Sequence, residues 1–183
     1  MSMIHKVAAR TKGYLSFGGG HGGLSDMPRV RGKVYVNRRG ELKIGRNLSI
    51  IAKPWPVQLT VVEGAKLTIG DNVLINAGVG IASNLEVEIG NDVKIGPRTS
   101  IFDSQYHPLD SSDAGDLRRR IVIEDNVWIG TGCLILPGVR IGRNSVVAAG
   151  STVTRDVPEN VVVAGSPAKV LRELQIEKDW VRT

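Results

Sequence analysis

The chain has almost no cysteine and few aromatic residues, and both shortages exclude classes of function. Its 183 residues include a single cysteine, Cys133, which rules out an intramolecular disulfide framework and a cysteine-built zinc site. Only 4% of the residues are aromatic, which argues against single-strand nucleic-acid binding, because such binding relies on aromatic stacking platforms. No apolar run is long enough to span a membrane, and the first residues carry no signal-peptide core. We therefore expect a cytoplasmic protein that binds no nucleic acid and spans no membrane.

Positive charge is in excess, which favours an anionic partner. Lysine and arginine number 24 against 18 acidic residues, a formal net charge of +6. With so few aromatics, a phosphorylated small molecule fits this surplus better than nucleic acid. A cationic cluster occupies residues 29–39, with Tyr35 as its one interleaved aromatic residue. We interpret this cluster as a solvated edge or a site for an anionic acceptor.

Apolar side chains recur at every sixth position. Two shorter series begin at Ile69 and Ile89, and the longest runs through Ile123, Ile129, Ile135, Ile141, Val147 and Val153. Six residues is neither a helical period nor the spacing of hairpin strands. Between the aliphatic positions lie Gly, Asn and Asp, which tolerate positive φ at corners. Three hexads therefore make one triangular coil, and parallel strand pairing stacks the coils about 4.8 Å apart. The sequence predicts an all-β solenoid.

The repeats divide the chain into regions. Residues 1–29 form an N-terminal segment that we expect to be partly flexible, and residues 30–167 form the solenoid. Lys53–Pro56 is expected to kink or leave the strand ladder, since proline cannot continue it. Residues 103–120 lack the repeat and are expected to leave the solenoid as an exposed excursion loop. Residues 168–183 contain good helix formers and are expected to form a short helix that caps the open end.

His107 lies in the excursion loop and is the candidate general base. A neutral imidazole there can remove a proton from a hydroxyl or an amine. Asp103, four residues earlier, can hold the far ring nitrogen and fix the tautomer. The other two histidines, His5 and His21, precede the repeats. This placement argues against the three-histidine zinc site of carbonic-anhydrase-like solenoids, and we expect no metal.

A second candidate feature follows the last hexad. Gly165-Ser166-Pro167 forms a turn, and the cations Lys169 and Arg172 follow it. This arrangement can present backbone N–H groups and positive charge to phosphates. A non-catalytic β-helix scaffold would need only bare repeats, and it remains the alternative from another functional class.

Several motifs together resemble hexapeptide-repeat acyltransferases. They are the block Ile121–Gly130, the segment Leu136–Gly142, the Ala-Gly-Ser-x-Val-Thr run from Ala149 and the Ala-Gly-x-Pro-Ala-Lys tail. The similarity is strongest to maltose and galactoside O-acetyltransferases and to surface-polysaccharide O-acetyltransferases. It implies a left-handed parallel β-helix that forms a homotrimer, with acetyl-CoA as co-substrate between neighbouring subunits.

The resemblance also implies roles for individual residues. His107 falls on the family's general base, and Asn76 falls on its acceptor-binding asparagine. The positions implied for acetyl-CoA are Trp128, the backbone at Thr131 and Ala149, then Thr154, Arg155, Lys169 and Arg172. For Trp128, a packed structural tryptophan is an equal alternative. Ser83-Asn84 stands where galactoside-type relatives have acidic residues, which argues against a simple free disaccharide as acceptor.

The predicted function is acetyl-CoA-dependent O-acetylation of a sugar or polysaccharide precursor. The acetyl group passes directly to the acceptor hydroxyl in a ternary complex, with His107 as the base and no covalent enzyme intermediate. N-acetylation of an aminosugar or an antibiotic amine is the alternative reaction. We expect residues 29–56, Tyr106 and residues 117–120 to shape the acceptor pocket.

Overall fold

A computed structural model describes residues 9, 11, 13, 17, 26–108 and 115–182. In the N-terminal segment, residues 9, 11, 13 and 17 are helical, and Ala9 and Phe17 are buried. His5, His21 and the glycine run at 18–23 lie outside the described residues, as do residues 109–114 of the excursion loop. In the part of the chain that the structure describes, no helix is long and apolar enough to cross a membrane.

The regular secondary structure of the described chain is almost entirely β-strand, and most of the strands are short. In chain order they are β1 (Arg29–Arg38), β2 (Glu41–Ile44), β3 (Ser49–Val61), β4 (Lys66–Ile69), β5 (Leu74–Ile75), β6 (Gly80–Ser83), β7 (Glu86–Ile89), β8 (Lys94–Ile95), β9 (Ser100–Phe102), β10 (Ile121–Ile123), β11 (Trp128–Ile129), β12 (Leu134–Ile135), β13 (Arg140–Ile141), β14 (Val146–Val147), β15 (Thr152–Val153), β16 (Val161–Gly165) and β17 (Ala168–Glu173).

Strand pairing arranges these strands as a three-sided prism. The first face contains β2, β4, β7, β10 and β13, and the second face contains β5, β8, β11, β14 and β16. The third face contains β6, β9, β12 and β15. The long strand β3 turns a corner, pairing with β5 through Ser49 and Ile50 and with β6 through residues 58–61. All pairs between successive coils are parallel, which confirms the predicted solenoid.

The hexad aliphatics fill the interior of the prism. On the second face, Ile75 pairs with Ile95, Ile95 with Ile129, and Ile129 with Val147. These four side chains are fully buried, and each contributes roughly 1.5–3 kcal/mol by leaving water. Because one coil has no second layer to cover its aliphatics, stacking creates the core.

The corner between the first and second faces is a ladder of Asn and Asp residues with positive φ. Asn72, Asp92, Asn126 and Asn144 have φ values of 58°, 59°, 59° and 63°. Their side chains bond from coil to coil, as where the Nδ2 of Asn126 donates to the Oδ1 of Asn144 at 2.8 Å. These residue types adopt left-handed backbone at little cost, so the predicted corner chemistry is confirmed.

Lys53–Pro56 leaves the ladder without ending the strand. β1 and β3 pair up to Gly32 and Ala52 and resume at Val34 and Val57, so residues 53–56 stand opposite the single residue Lys33. The extra residues bulge outward and present Trp55, which is 47% exposed. The predicted kink is therefore an outward bulge at the corner between the second and third faces.

The expected C-terminal helix is wrong. Residues 168–173 form β17, which pairs antiparallel with β16. The last coil leaves a free strand edge, and its unpaired backbone groups are satisfied by this added strand, which overrides the weak helix propensity of the segment. Residues 174–182 then cross the second face, where the N–H of Arg182 donates to the Oδ1 of Asn126 at 2.8 Å.

Candidate functional site: two edges of the prism

The predicted site residues lie mainly on two edges of the prism. The Asn76 edge is the corner between the second and third faces and contains residues 76–79, 96–99, 130–133 and 148–151. The His107 edge is the corner between the third and first faces and contains residues 84–85, the loop 103–120, and residues 136–139 and 154–157. The third face separates these edges.

Backbone hydrogen bonds align Asn76, Thr131 and Ala149 along the Asn76 edge. The N–H groups of Asn76, Gly96 and Gly130 donate to the carbonyl oxygens of Ile95, Ile129 and Val147, at 3.1, 2.7 and 2.8 Å. Asn76 also donates its Nδ2 to the oxygen of Ile95 at 2.9 Å, and no described residue donates to its Oδ1. This fixes the side chain with an acceptor oxygen available.

Two backbone donors on this edge are unused. Thr131 and Ala149 are exposed, and their N–H groups donate to no described residue. The coils approach closely here, since a Cβ added at Gly130 would lie 2.6 Å from the nitrogen of Ala149. The Asn76 edge therefore offers successive N–H donors to a ligand that lies along it.

The His107 edge gathers Asp103, His107, Thr154 and Arg155. The carbonyl oxygen of Asp103 accepts the N–H of Arg119 at 2.8 Å, and the carbonyl oxygen of Arg119 accepts the N–H of Gly138 at 3.2 Å. In the next coil, Thr154 and Arg155 are exposed at the equivalent corner. Both predicted cofactor residues at this corner are thus on the same edge as the candidate base.

Asp103 holds the base of the loop and is not bonded to His107. Its carboxylate is fully buried and accepts the N–H groups of Asn84 and Leu85 at 2.7 and 2.8 Å. It also accepts the Oγ of Ser83 at 3.3 Å. No hydrogen bond joins this carboxylate to the exposed imidazole of His107 within the described residues. The expected tautomer-fixing pair is absent because the backbone of the 83–85 turn already occupies the carboxylate.

Asn84, Tyr106 and Arg118 fix the loop, a structural role that the sequence did not indicate for them. The Nδ2 of Asn84 lies 3.3 Å from the hydroxyl of Tyr106, and the Nη1 of Arg118 donates to the carbonyl oxygen of Asn84 at 3.2 Å. An antiparallel bridge joins Ser104 to Arg118 and closes the base of the loop. Tyr106 has a positive φ of 63°, a property of the folded backbone that its residue type does not reveal.

A single chain does not bring Asn76 and His107 together. They lie on opposite sides of the third face, whose strand β6 covers Gly80–Ser83. At about 3.3 Å per residue, the face and its corner residues separate the two edges by roughly 15 Å. Within one chain, therefore, the two predicted residues lie on different edges.

The C-terminal segment partly covers Trp128 on the second face. The guanidinium of Arg182 lies 5.8 Å from the ring of Trp128 and 4.9 Å from the ring of Trp180. Burial lowers the pKa of Arg182, and burial together with that neighbouring cation lowers the pKa of Lys94. Trp128 remains 45% exposed, so it is a surface platform and not a core residue.

Lys169 and Arg172 lie on β17, opposite Ala164 and Val162 of β16. Both are exposed, so the end of the prism beyond Ala149 carries two available cations. They project from a strand and not, as the sequence suggested, from neighbouring turns of a helix.

Cys133 is not suited to nucleophilic catalysis. Its side chain is 2% exposed, and burial raises the pKa of the thiol. The reactive form of cysteine is the thiolate, so this environment disfavours the form that could attack an acyl group. No group of three possible metal-ligating side chains occurs among the described residues.

The chain is similar to acetyltransferases in sequence. The family model "Bacterial transferase hexapeptide (six repeats)" matches residues 120–155. The putative lipopolysaccharide biosynthesis O-acetyl transferase WbbJ of Escherichia coli K12 is 32% identical over 163 residues, 82% of this chain and 82% of that protein. The galactoside O-acetyltransferase of Lactococcus lactis is 40% identical over 118 residues, 61% of this chain and 55% of that protein. This chain spans 45% to 62% of the length of four such relatives.

The fold has a solved counterpart in the hexapeptide-repeat acetyltransferase VCA0836 of Vibrio cholerae. Its structure is similar over 75% of this chain and 74% of its own, with a TM-score of 0.61 and 35% identity. The same protein complexed with acetyl coenzyme A matches 78% of this chain and 72% of its own, with a TM-score of 0.54 and 31% identity.

Proposed function

The chain belongs to the hexapeptide-repeat acetyltransferase family, whose left-handed parallel β-helix it shares, and we propose that it transfers an acetyl group from acetyl-CoA to a hydroxyl of a sugar or polysaccharide precursor. The observation that supports this proposal is the content of the two edges. Exposed, unused N–H donors lie on the Asn76 edge, and an exposed histidine lies on the His107 edge. The galactoside and lipopolysaccharide relatives support a carbohydrate acceptor. The buried thiol of Cys133 fits the reducing cytoplasm expected from the sequence.

The proposed assembly is a homotrimer closed through the third face. From β3 to β15, the outward positions of this face are uncharged: Gln58, Thr60, Gly80, Ala82, Ser100, Phe102, Leu134 and Thr152. The first face, in contrast, carries ion pairs such as Lys66–Glu86 and Arg140–Glu124. When three third faces surround a threefold axis, the Asn76 edge of each chain meets the His107 edge of its neighbour. Each of the three contacts then holds a complete set of predicted site residues.

In this arrangement the cations and N–H donors of the chain bind the co-substrate. The N–H groups of Thr131 and Ala149 hydrogen-bond the pantetheine arm, and Trp128 supplies apolar contact near it. Thr154 and Arg155 approach from the His107 edge. Lys169 and Arg172, at the end of the prism, bind the phosphates through charge-assisted hydrogen bonds. The surplus of positive charge in the chain fits such a ligand.

His107 acts as general base in the proposed reaction. Its imidazole takes the proton of the acceptor hydroxyl while the hydroxyl oxygen attacks the thioester carbonyl carbon. Asn76 orients the acceptor, and backbone N–H groups stabilise the oxyanion. As the carbon–sulfur bond breaks, the imidazolium returns its proton to the leaving thiolate. Atoms and charge balance without a covalent enzyme intermediate.

A thioester-release assay tests the proposal. The full chain is incubated with acetyl-CoA and a panel of sugars, nucleotide-sugars, oligosaccharides and amines, and free thiol is measured. We expect release that depends on a hydroxyl acceptor and falls by roughly 10²–10⁴ in His107→Ala, the usual contribution of a general base. Release with amines only would replace the proposal by N-acetylation. Release that is unchanged in His107→Ala would remove that residue from the mechanism.

A further inference from the structure

One corner position of the Asn76 edge breaks the pattern of its neighbours. Gly78, Gly132 and Gly150 occupy the equivalent positions in three coils, with φ values of 73°, 66° and 71°. In the fourth coil the position holds Arg98, with φ of 58°. Left-handed backbone favours glycine and is costly for most L residues. Strained residues of this kind cluster at functional sites, so the side chain of Arg98 is a candidate for a functional role.

The side chain of Arg98 folds back along the edge to reach Trp55. Its guanidinium carbon lies 5.1 Å from the centre of the indole ring. The pair meets across Gly78, whose N–H donates to the carbonyl oxygen of Trp55 at 3.2 Å. A Cβ added at Gly78 would lie 3.1 Å from the Cγ of Arg98 and 3.3 Å from the Cβ of Trp55. The absence of a side chain at Gly78 therefore makes room for the pair.

The pair is exposed and its cation is unpaired. Trp55 is 47% exposed, and Arg98 is also exposed. Within residues 26–108 and 115–182 the guanidinium of Arg98 donates no hydrogen bond and forms no ion pair. Its planar N–H donors match the geometry of a carboxylate or phosphate. The exposed part of the indole supplies an apolar surface beside those donors.

The pair adjoins Asn76 on the side away from the residues proposed for acetyl-CoA. Gly78 follows Asn76 by two residues in the same corner, and the N–H of Arg98 donates to the oxygen of Ala77 at 2.9 Å. Along this edge the order is Trp55, Asn76, Arg98, Thr131 and Ala149, one coil after another. Because the side chain of Arg98 turns toward Trp55, both functional groups lie at the acceptor end.

We propose that Trp55 and Arg98 form an acceptor subsite for a saccharide that carries an anionic group. The sugar ring packs on the indole of Trp55, and its carboxylate or phosphate is bound by the guanidinium of Arg98. Asn76, two residues from Gly78, then holds the hydroxyl that is to be acetylated. This inference rests on the proposed acetyl transfer and adds the charge class of its acceptor.

Calorimetric titration of the full chain tests the subsite independently of catalysis. The probes are trigalacturonate against neutral galactotriose, and galactose 1-phosphate against galactose, so the two arms separate a carboxylate from a phosphate. We expect the wild type to bind one of the charged probes at least about tenfold more tightly than its neutral counterpart, the typical gain from a charge-assisted hydrogen bond. Arg98→Gly should reduce that preference to less than about twofold. Trp55→Ala should weaken charged and neutral probes alike.

Arg98→Gly is also the control for folding, since it places the residue type of the three equivalent corners at this position. Its unfolding midpoint should equal or exceed that of the wild type. Lys43→Ala removes an exposed cation from the first face and should leave the preference intact. Equal affinity for charged and neutral probes, no binding of either, or a preference that survives in Arg98→Gly would each overturn the subsite.

Different experimental results would contradict the subsite and the proposed reaction. A charged-probe preference that depends on Arg98, without acetyl transfer to any acceptor, supports the subsite and contradicts the reaction. Acetyl transfer to neutral sugars with kcat/KM unaffected by Arg98→Gly supports the reaction and contradicts the subsite.

Discussion

The carboxylate of Asp103 accepts the backbone N–H of Asn84 at 2.7 Å, across the step from one coil to the next. Asp103 ends the third face at the point where the excursion loop departs. Asn84 turns the corner in the coil beneath it. The loop that carries His107, the proposed general base, is therefore fixed to the solenoid at its first residue.

Removing the Asp103 carboxylate should loosen the loop and lower activity. Asp103→Ala leaves the N–H groups of Asn84 and Leu85 without their buried acceptor, which we expect to cost about 3 kcal/mol in the free energy of unfolding. Asp103→Asn retains one acceptor oxygen and should cost less. Urea denaturation and steady-state kinetics measure both effects. kcat should fall while the KM for acetyl-CoA stays constant, because the carboxylate contacts residues 83–85 and none of the residues proposed to bind acetyl-CoA.

The matched control is Glu159→Ala, which removes an exposed carboxylate and should change neither stability nor kcat. A stable Asp103→Ala variant with full activity would show that the buried carboxylate does not position His107.

Asp116 and Arg118, near the C-terminal end of the excursion loop, should remain an ion pair down to low pH. A hydrogen bond from Arg118 lowers the pKa of Asp116 to about 2, against 3.8 for the ordinary group. A depressed pKa means that the pair is formed above the unfolded value and is lost as the pH falls through the folded value. Carboxyl carbon chemical shifts measured between pH 5 and pH 1.5 should show this late titration. In Arg118→Gln the midpoint should return toward 3.8. A wild-type midpoint near 4 would contradict the pairing.

Core stacking should dominate the stability of the fold. Ile129→Ala opens a cavity between Ile95 and Val147, and we expect a loss of about 2–5 kcal/mol in the free energy of unfolding. Val122→Ala, on the outward side of the first face, should change it by less than about 1 kcal/mol. Denaturant titration of both variants is the measurement. Similar losses for the two would contradict the inward orientation of the hexad isoleucines.

The C-terminal segment should shield Trp128. In a background with Trp55→Phe and Trp180→Phe, Trp128 is the sole tryptophan, and its fluorescence quenching by acrylamide reports its exposure. A chain ending at Glu173 lacks the Arg182 guanidinium that lies over the ring, so quenching should increase. Unchanged quenching would mean that the segment does not rest on Trp128 in solution.

The solenoid could be predicted from the sequence because each hexad repeats the same residue types at the same positions. An aliphatic such as Ile95 must be covered, and Asn72 or Asp92 can adopt left-handed backbone at the corner. The structure of the C-terminal segment could not be predicted in this way. Residues 168–173 have helix propensity, but only tertiary structure reveals the open edge of β16 that makes them a strand.

The site could be predicted in part for the same reason. His107 was identifiable because it lies in the one segment that breaks the repeat. Tyr106 and residues 117–120 were expected only near the acceptor, and the contacts of Tyr106 and Arg118 with Asn84 form only when the loop closes. The expected contact between Asp103 and His107 was based on their closeness in the sequence. The backbone N–H groups of the 83–85 turn compete for that carboxylate, and a sequence does not display them.

The central claim is that Asn76 of one chain and His107 of its neighbour form one reaction centre. Complementation between two inactive variants, Asn76→Ala and His107→Ala, tests it most directly. When the two are unfolded together in equal amounts and refolded, each contact in a random trimer has about a one-in-four chance of combining both intact residues. We expect thioester release to recover to about a quarter of the wild-type rate, while each variant refolded alone stays inactive. No recovery in the mixture, with trimers confirmed by sedimentation, would contradict a centre shared between subunits.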